Sequence, residues 1–159
     1  MSFVQENKKI LEIGNVLNHY FSFNHTVIDK YEEATGVLNV DIVDFDTNEK
    51  FDLVVSISTV EHIGFDELPI TPGKSLMAMK KIISLLKPGG IAIITVPLGY
   101  NTEIDEIIKN NRILFKEKYF LERINIFNKW RSTNIERALQ LKYGQRYAAA
   151  NSVAFLLYY

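Results

Sequence analysis

The chain has 159 residues, a net charge of −1 and no cysteine. That length fits one domain with room for a core and a pocket. Without cysteine, disulfides, thiolate nucleophiles and cysteine-based zinc sites are excluded, and the near-neutral charge argues against nucleic acid as a partner.

No charged segment followed by an apolar stretch opens the sequence, and the late run "SVAFLLYY" is too short to span a bilayer. A cytoplasmic protein with no membrane partner is expected. "KKILEIG" reads as a first strand ending in glycine, "HTVIDKY" as a second ending in charge, and "GVLNVDIVDF" as a weaker third. "KFDLVVSIST" is almost continuously apolar from Phe51 to Ile57, as a central strand covered on both faces would be. Leu76, Met79, Ile83 and Leu86 follow a helical spacing, and the helix is expected to stop at a turn in "KPGG". "IAIITVP" is a fifth strand, and Ile104, Ile107 and Ile108 mark a helix after it. Later, "KYFLERINIF" and "NSVAFLLYY" read as strands with a helical "IERALQLKY" between them.

This order predicts a single α/β domain over residues 1–159. The fold expected is Rossmann-like, with a mainly parallel sheet, helices on both faces and an antiparallel edge strand near the C-terminus. Ligands in such sheets bind beyond the carboxyl ends of the strands, so residues just after each strand are the candidates. Asp29 can accept from both ribose hydroxyls or be a solvated strand-end acid, and Asp41 can accept from an adenine amine or form a turn. His62 can serve as a general base or bond a backbone carbonyl, and Tyr100 and Asn101 leave the fifth strand where a substrate can sit. His19 and His25 show no metal-ligand spacing, and no metal is expected. Arg123, Trp130 and Arg131 can meet an acidic or sugar substrate, although packing on the sheet explains the tryptophan as well.

Together "ILEIG", "VIDKYE", "FDLVVSISTVEHI" and "LKPGGIAIITVP" resemble the class I S-adenosylmethionine-dependent methyltransferases. The resemblance implies S-adenosylmethionine as cofactor, with Glu12, Gly14 and Asn15 near its methionine half and Asp29 on the ribose. It further implies Asp41 and Ile42 around the adenine, Ser56, Ile57 and Ser58 facing the sulfonium, and His62 just beyond. The family usually carries further glycines after the first; here Val16 and Asn18 stand there, so the first motif is degenerate. A sulfonium cofactor has no pyrophosphate to cradle, so this departure counts more against a dinucleotide.

The reading is a methyltransferase acting on an oxygen or nitrogen of a small-molecule acceptor, with a sugar or another metabolite as the analogy suggests. A non-catalytic binding or scaffold protein of the same fold is the alternative, and an NAD-dependent oxidoreductase the third. The oligomeric state is left open.

Overall fold

The structure, a computed structural model, describes residues 8–21 and 24–159. Five strands, β1 (Ile10–Ile13), β2 (Thr26–Asp29), β3 (Val37–Asn39), β4 (Phe51–Ile57) and β5 (Leu86–Pro97), run parallel. Then come β6 (Glu117–Arg123), β7 (Trp130–Thr133) and β8 (Ser152–Tyr158), joined to the same sheet by antiparallel pairing. The eight strands lie in the order β3-β2-β1-β4-β5-β8-β6-β7. Strand order reverses at β1, between β2 and β4, which puts a crevice at their carboxyl ends. Helices α1 (Lys74–Ser84), α2 (Thr102–Lys109) and α3 (Ile135–Gln140) complete the fold.

Strand alternation divides the apolar residues between two faces. One face carries Leu11, Val54, Ile94 and Leu156, and all three helices send their buried residues to it: Met79 and Ile82, Ile104 and Ile107, and Ala138. The other face carries Leu53, Ile57, Ile93, Phe155 and Leu157, which are only half-buried. Helical cover is therefore uneven. The segments joining β1 to β2 and β2 to β3 are short, and among the described residues they hold a 3-10 turn at Leu17–His19 and no α-helix.

Three local expectations are corrected. The third strand stops at Asn39, because Asp41 starts a turn by accepting from Val43 N (3.2 Å) while its carbonyl accepts from Asp44 N (2.9 Å). "KPGG" is not the turn after a helix but part of β5, which begins one residue after the capping Leu85. The register jumps there, from Phe51 opposite Leu86 to Leu53 opposite Ile91, so the extra residues form a bulge. Gly89 sits at φ +76°, and a Cβ on Gly90 would lie 2.8 Å from the Phe51 carbonyl oxygen, so both glycines serve the bulge. "INIF" falls outside β6, and the sheet edge is the unanticipated β7. "FLLYY" lies within β8 between β5 and β6, an inner strand, with Tyr159 just beyond it.

Leu156 is fully buried where β8 meets β5 and β6. Leu156→Ala is expected to cost about 2–5 kcal/mol of stability, read from the midpoint of urea unfolding; a loss under about 1 kcal/mol would contradict this packing.

Candidate functional site

Each parallel strand delivers its last residues to the same edge, and a cavity of about 500 Å³ opens there. Its apolar lining comes from Ile13, Ile28, Val40 and Ile42, and its polar lining includes Asn15, Asp29, Asp41, Ser58, Thr59, His62 and Asp66.

The turn after β1 depends on one carboxylate. Glu12 is fully buried, and its Oε1 accepts from Val16 N (2.8 Å) and Leu17 N (2.6 Å). Its Oε2 lies 2.6 Å from His25 Nε2. These bonds fold residues 14–17 back on the strand end. Gly14 itself is required: its φ is +82°, and an added Cβ would lie 2.2 Å from Thr59 Oγ1. Asn15 Nδ2 donates to Glu32 Oε1 (2.6 Å) and Asn18 Nδ2 to Asn15 Oδ1 (2.7 Å), which ties this turn to the one after β2.

Asp29 ends β2 in the cavity wall. Its Oδ1 accepts from Tyr31 N and Glu32 N, both at 2.8 Å, which fixes the carboxylate and leaves Oδ2 without a hydrogen bond from the described residues. Asp41 also lines the cavity, but its Oδ2 is engaged by Lys74 Nζ (2.6 Å) and Lys30 Nζ (3.2 Å). Glu67 completes the square, with Oε2 2.6 Å from Lys74 Nζ and Oε1 3.1 Å from Lys30 Nζ. Burial would raise the Asp41 and Glu67 carboxyls, but hydrogen bonds from the lysines, Lys74 first, outweigh it and hold both below their ordinary values.

At the end of β4, Ser58 lines the cavity with φ +47°, a strained left-handed conformation for a serine. A 3-10 turn at Val60–His62 follows. His62 lines the cavity half-exposed, and its Nδ1 makes a short hydrogen bond with Asp66 Oδ2. Tyr100 hydroxyl donates to the same Asp66 oxygen (2.7 Å). Burial alone would raise the Asp66 carboxyl, but the bonds from His62 and Tyr100 hold it below its ordinary value. The bond to Asp66 pushes the Tyr100 phenol up to about 12, so it stays a neutral donor. Behind His62, Glu61 is buried at 1% exposure with Oε2 unpartnered, and burial pushes its carboxyl up to about 7.

Gly14, Asn15, Asp29, Asp41, Ile42, Ser58 and His62 are thus brought together around one cavity. Glu12 supports the cavity from beneath. Ser56 is fully buried with an unpartnered Oγ, and neither it nor Ile57 is part of the lining. Asn101 is no substrate contact in this structure: it is buried, its Oδ1 caps α2 by accepting from Glu103 N, and its Nδ2 donates to Glu61 O and Ser75 Oγ. Tyr100 does not line the cavity; it donates to Asp66 and packs its ring against His62, both of which do. Arg131 and Arg137 both grip the buried Glu122, and Arg123 donates to three backbone carbonyls, so Arg123 and Arg131 serve the fold. Trp130 is an edge-strand residue bonded to Asn128. Sequence reasoning missed Thr59, Asp66 and Glu67; the i, i+4 spacing of His62 and Asp66 was the available signal for one of them.

A parallel sheet with its cavity at the switch point and an acid closing β2 defines a nucleotide-cofactor-binding α/β protein. The sequence matches the family model of a methyltransferase domain over residues 5–144, and the chain belongs to that family. No curated protein matches the sequence. A Thermotoga maritima structure described as a possible histamine N-methyltransferase superimposes with TM-score 0.54 at 12% identity, over 96% of this chain and 82% of that one. N-methyltransferase NodS from Bradyrhizobium japonicum WM9, solved with S-adenosylhomocysteine, gives 0.51 at 15%, over 94% and 76%. At such identities these likenesses establish the fold. With the family match they make the chain an enzyme of the Rossmann-like class I S-adenosylmethionine-dependent methyltransferases.

Two outcomes follow from this geometry. Glu12→Ala removes the acceptor of two loop amides, so Val16 and Leu17 are expected to lose hydrogen-exchange protection and stability to fall by about 1–3 kcal/mol. Unchanged exchange would show that the loop holds itself. The second concerns Glu61, whose folded-state pKa of about 7 lies above the ordinary 4.5. Between those values the unfolded chain has released the proton and the folded one retains it, so stability falls as pH rises from about 4.5 to about 7. The loss attributable to Glu61 is on the order of 3 kcal/mol. Urea unfolding at pH 5 and pH 8 is expected to show a smaller drop in Glu61→Gln than in the parent; equal drops would place the titration elsewhere.

Proposed function

We propose that this methyltransferase acts on an oxygen or nitrogen of a small-molecule acceptor that enters beside His62, with S-adenosylmethionine held in the cavity by Gly14, Asn15, Asp29, Ile42 and Ser58. The observation that carries the reading is that one cavity joins the Gly14 turn, the open Asp29 oxygen and the His62–Asp66 pair.

The residues present fit that cofactor. The cavity volume is in the range of small-ligand sites. Ile13, Ile28, Val40 and Ile42 offer an apolar bed for an adenine, and Asp29 Oδ2 is an acceptor for ribose hydroxyls. Gly14 lets backbone approach where a side chain would strike Thr59. Asp41 flanks the adenine end while its carboxylate steadies Lys30 and Lys74. When bound, S-adenosylmethionine supplies an electrophilic methyl carbon on a sulfonium.

The chain's own contribution is alignment and proton handling. Fixing donor and acceptor in one site removes the entropy cost of a bimolecular encounter. Asp66 holds His62 by Nδ1, which leaves Nε2 as the atom that takes a proton from the acceptor. The buried Glu61 Oε1, 3.8 Å from Nε2, favours the imidazolium so formed.

Isothermal titration with S-adenosylmethionine and S-adenosylhomocysteine tests the cofactor assignment, with NADH as control. Micromolar binding of both is expected, weakened about tenfold or more in Asp29→Ala. Failure of both to bind at millimolar concentration would overturn the assignment and leave a scaffold role for this chain.

A further inference from the structure

We propose that the β6–β7 hairpin attaches the protein to the surface of an anionic phospholipid bilayer, with Ile126 and Phe127 entering the headgroup region and Lys129 and Arg146 meeting lipid phosphates.

The hairpin tip projects apolar side chains into solvent. Ile126 is 70% and Phe127 80% exposed, and Ile124 beside them is 37% exposed. The loop that carries them is nonetheless held in one shape. Asn125 Oδ1 accepts from Phe127 N (3.0 Å) and Lys129 N (3.1 Å), and Ile124 N donates to Lys129 O (2.9 Å). Arg123 donates to the carbonyls of Asn125 and Ile126. Adjacent large apolar side chains on a fixed turn add nothing to a core, and exposure of that kind marks a contact surface.

Charge decides the partner. β5 and β6 both pair antiparallel with β8, so the hairpin and the segment before β8 lie at the carboxyl edge of the parallel strands. Residues 123–131 and 141–150, which form that part of the edge, contain five lysines and arginines and no acid. Arg123 and Arg146 both stand over the Tyr147 ring, at 5.2 and 5.1 Å. Among the described residues the arginines paired to an acid are Arg131 and Arg137, both on Glu122. Two guanidinium groups on one ring repel unless an anion joins them, and a phosphate matches their geometry. The overall charge of −1 does not cancel this patch, because physiological salt screens charges beyond about 8 Å.

A nucleic acid would take the cations but not Ile124 and Ile126, which offer no ring for a base to stack on. A bilayer takes both, with basic residues at the phosphates and apolar ones at the boundary of headgroups and acyl chains. Such attachment needs no spanning segment, and among the described residues no helix is long and apolar enough to cross a membrane. The cavity opens on the same edge, three to four strand spacings from β6 and so roughly 15–20 Å away.

Trp130, the one tryptophan of the chain, starts β7 beside the tip and reports on it directly. Phosphatidylcholine vesicles with about 30% phosphatidylserine are expected to bind the protein about tenfold or more above phosphatidylcholine alone. Brominated acyl chains in those vesicles are expected to quench Trp130. The double variant Ile126→Ser, Phe127→Ser is expected to bind about tenfold more weakly. The double variant Lys129→Gln, Arg146→Gln is expected to lose most of the preference for phosphatidylserine. All four side chains are exposed and none lines the cavity, so the urea midpoint and cofactor affinity are expected to match the parent. Absence of binding at about 1 mM lipid would overturn the proposal, as would equal binding to neutral vesicles or an unquenched Trp130. Single-stranded RNA bound more tightly than the charged vesicles would overturn it in favour of a nucleic acid. A dimer in sedimentation that the Ile126 and Phe127 substitutions abolish would overturn it in favour of a second copy.

Discussion

The carboxylate of Glu12, withdrawn entirely from solvent, holds the turn on which the cavity is built. It accepts from two consecutive loop amides and meets His25 with its other oxygen. A buried carboxylate is tolerated when its oxygens are fully engaged, and here that engagement is what gives residues 14–17 one conformation. The fixed turn places Gly14 against Thr59, and so sets the distance between the ends of β1 and β4 across which the cavity opens. Asn15 then carries the constraint to Glu32 and the end of β2. Three strand ends are thus tied by one buried acid.

The charges around the cavity divide its two ends. Toward Asp41, two lysines and two carboxylates close on one another, leaving an end that is electrostatically quiet and floored by aliphatic side chains. Toward His62, Asp66 and Glu61 stand without a lysine, and Tyr100 donates to Asp66 instead. The cavity is thus charge-neutralised at its first end and acidic at its second. The strained Ser58 lies at the boundary, where the chain leaves β4 sharply enough to bring His62 back over the cavity.

Much of the parallel half was legible because its signals are local. The apolar run Phe51–Ile57 needs cover on both faces, and Gly14 follows β1, Asp29 ends β2 and His62 sits in the first turn after β4, so strand ends predict cavity positions. Misreadings arose where one local signal fits two structures. Proline and glycine in "KPGG" suit a turn or a bulge, and only the pairing of β4 with β5 decides between them. Asn101 follows a strand as a ligand contact would, yet its partners Glu61 and Ser75 come from distant segments. The ion-pair square was invisible for the same reason, since Lys30, Asp41, Glu67 and Lys74 come together only after folding. The uneven helical cover was signalled by the short gap after Gly14, but the half-open second face depends on the register of the antiparallel strands.

Those antiparallel strands bear on chemistry as well as on packing. By inserting between β5 and β6, β8 draws the segment before it against the end of β5. Leu98 N donates to Ser152 O, and Tyr143 N reaches Gly99 O. Gly99 permits this approach, because an added Cβ would lie 2.7 Å from the Leu141 carbonyl oxygen. Tyr143 therefore stacks edgewise on Tyr100, and Tyr100 in turn holds Asp66 beside His62. The residues that line the cavity all come from the parallel half, whereas the placing of Tyr100 beside Asp66 and His62 requires the C-terminal third. Substitutions at Gly99 or in the segment carrying Tyr143 should accordingly disturb the Tyr100–Asp66 bond before they disturb the cavity itself, since none of those residues lines it.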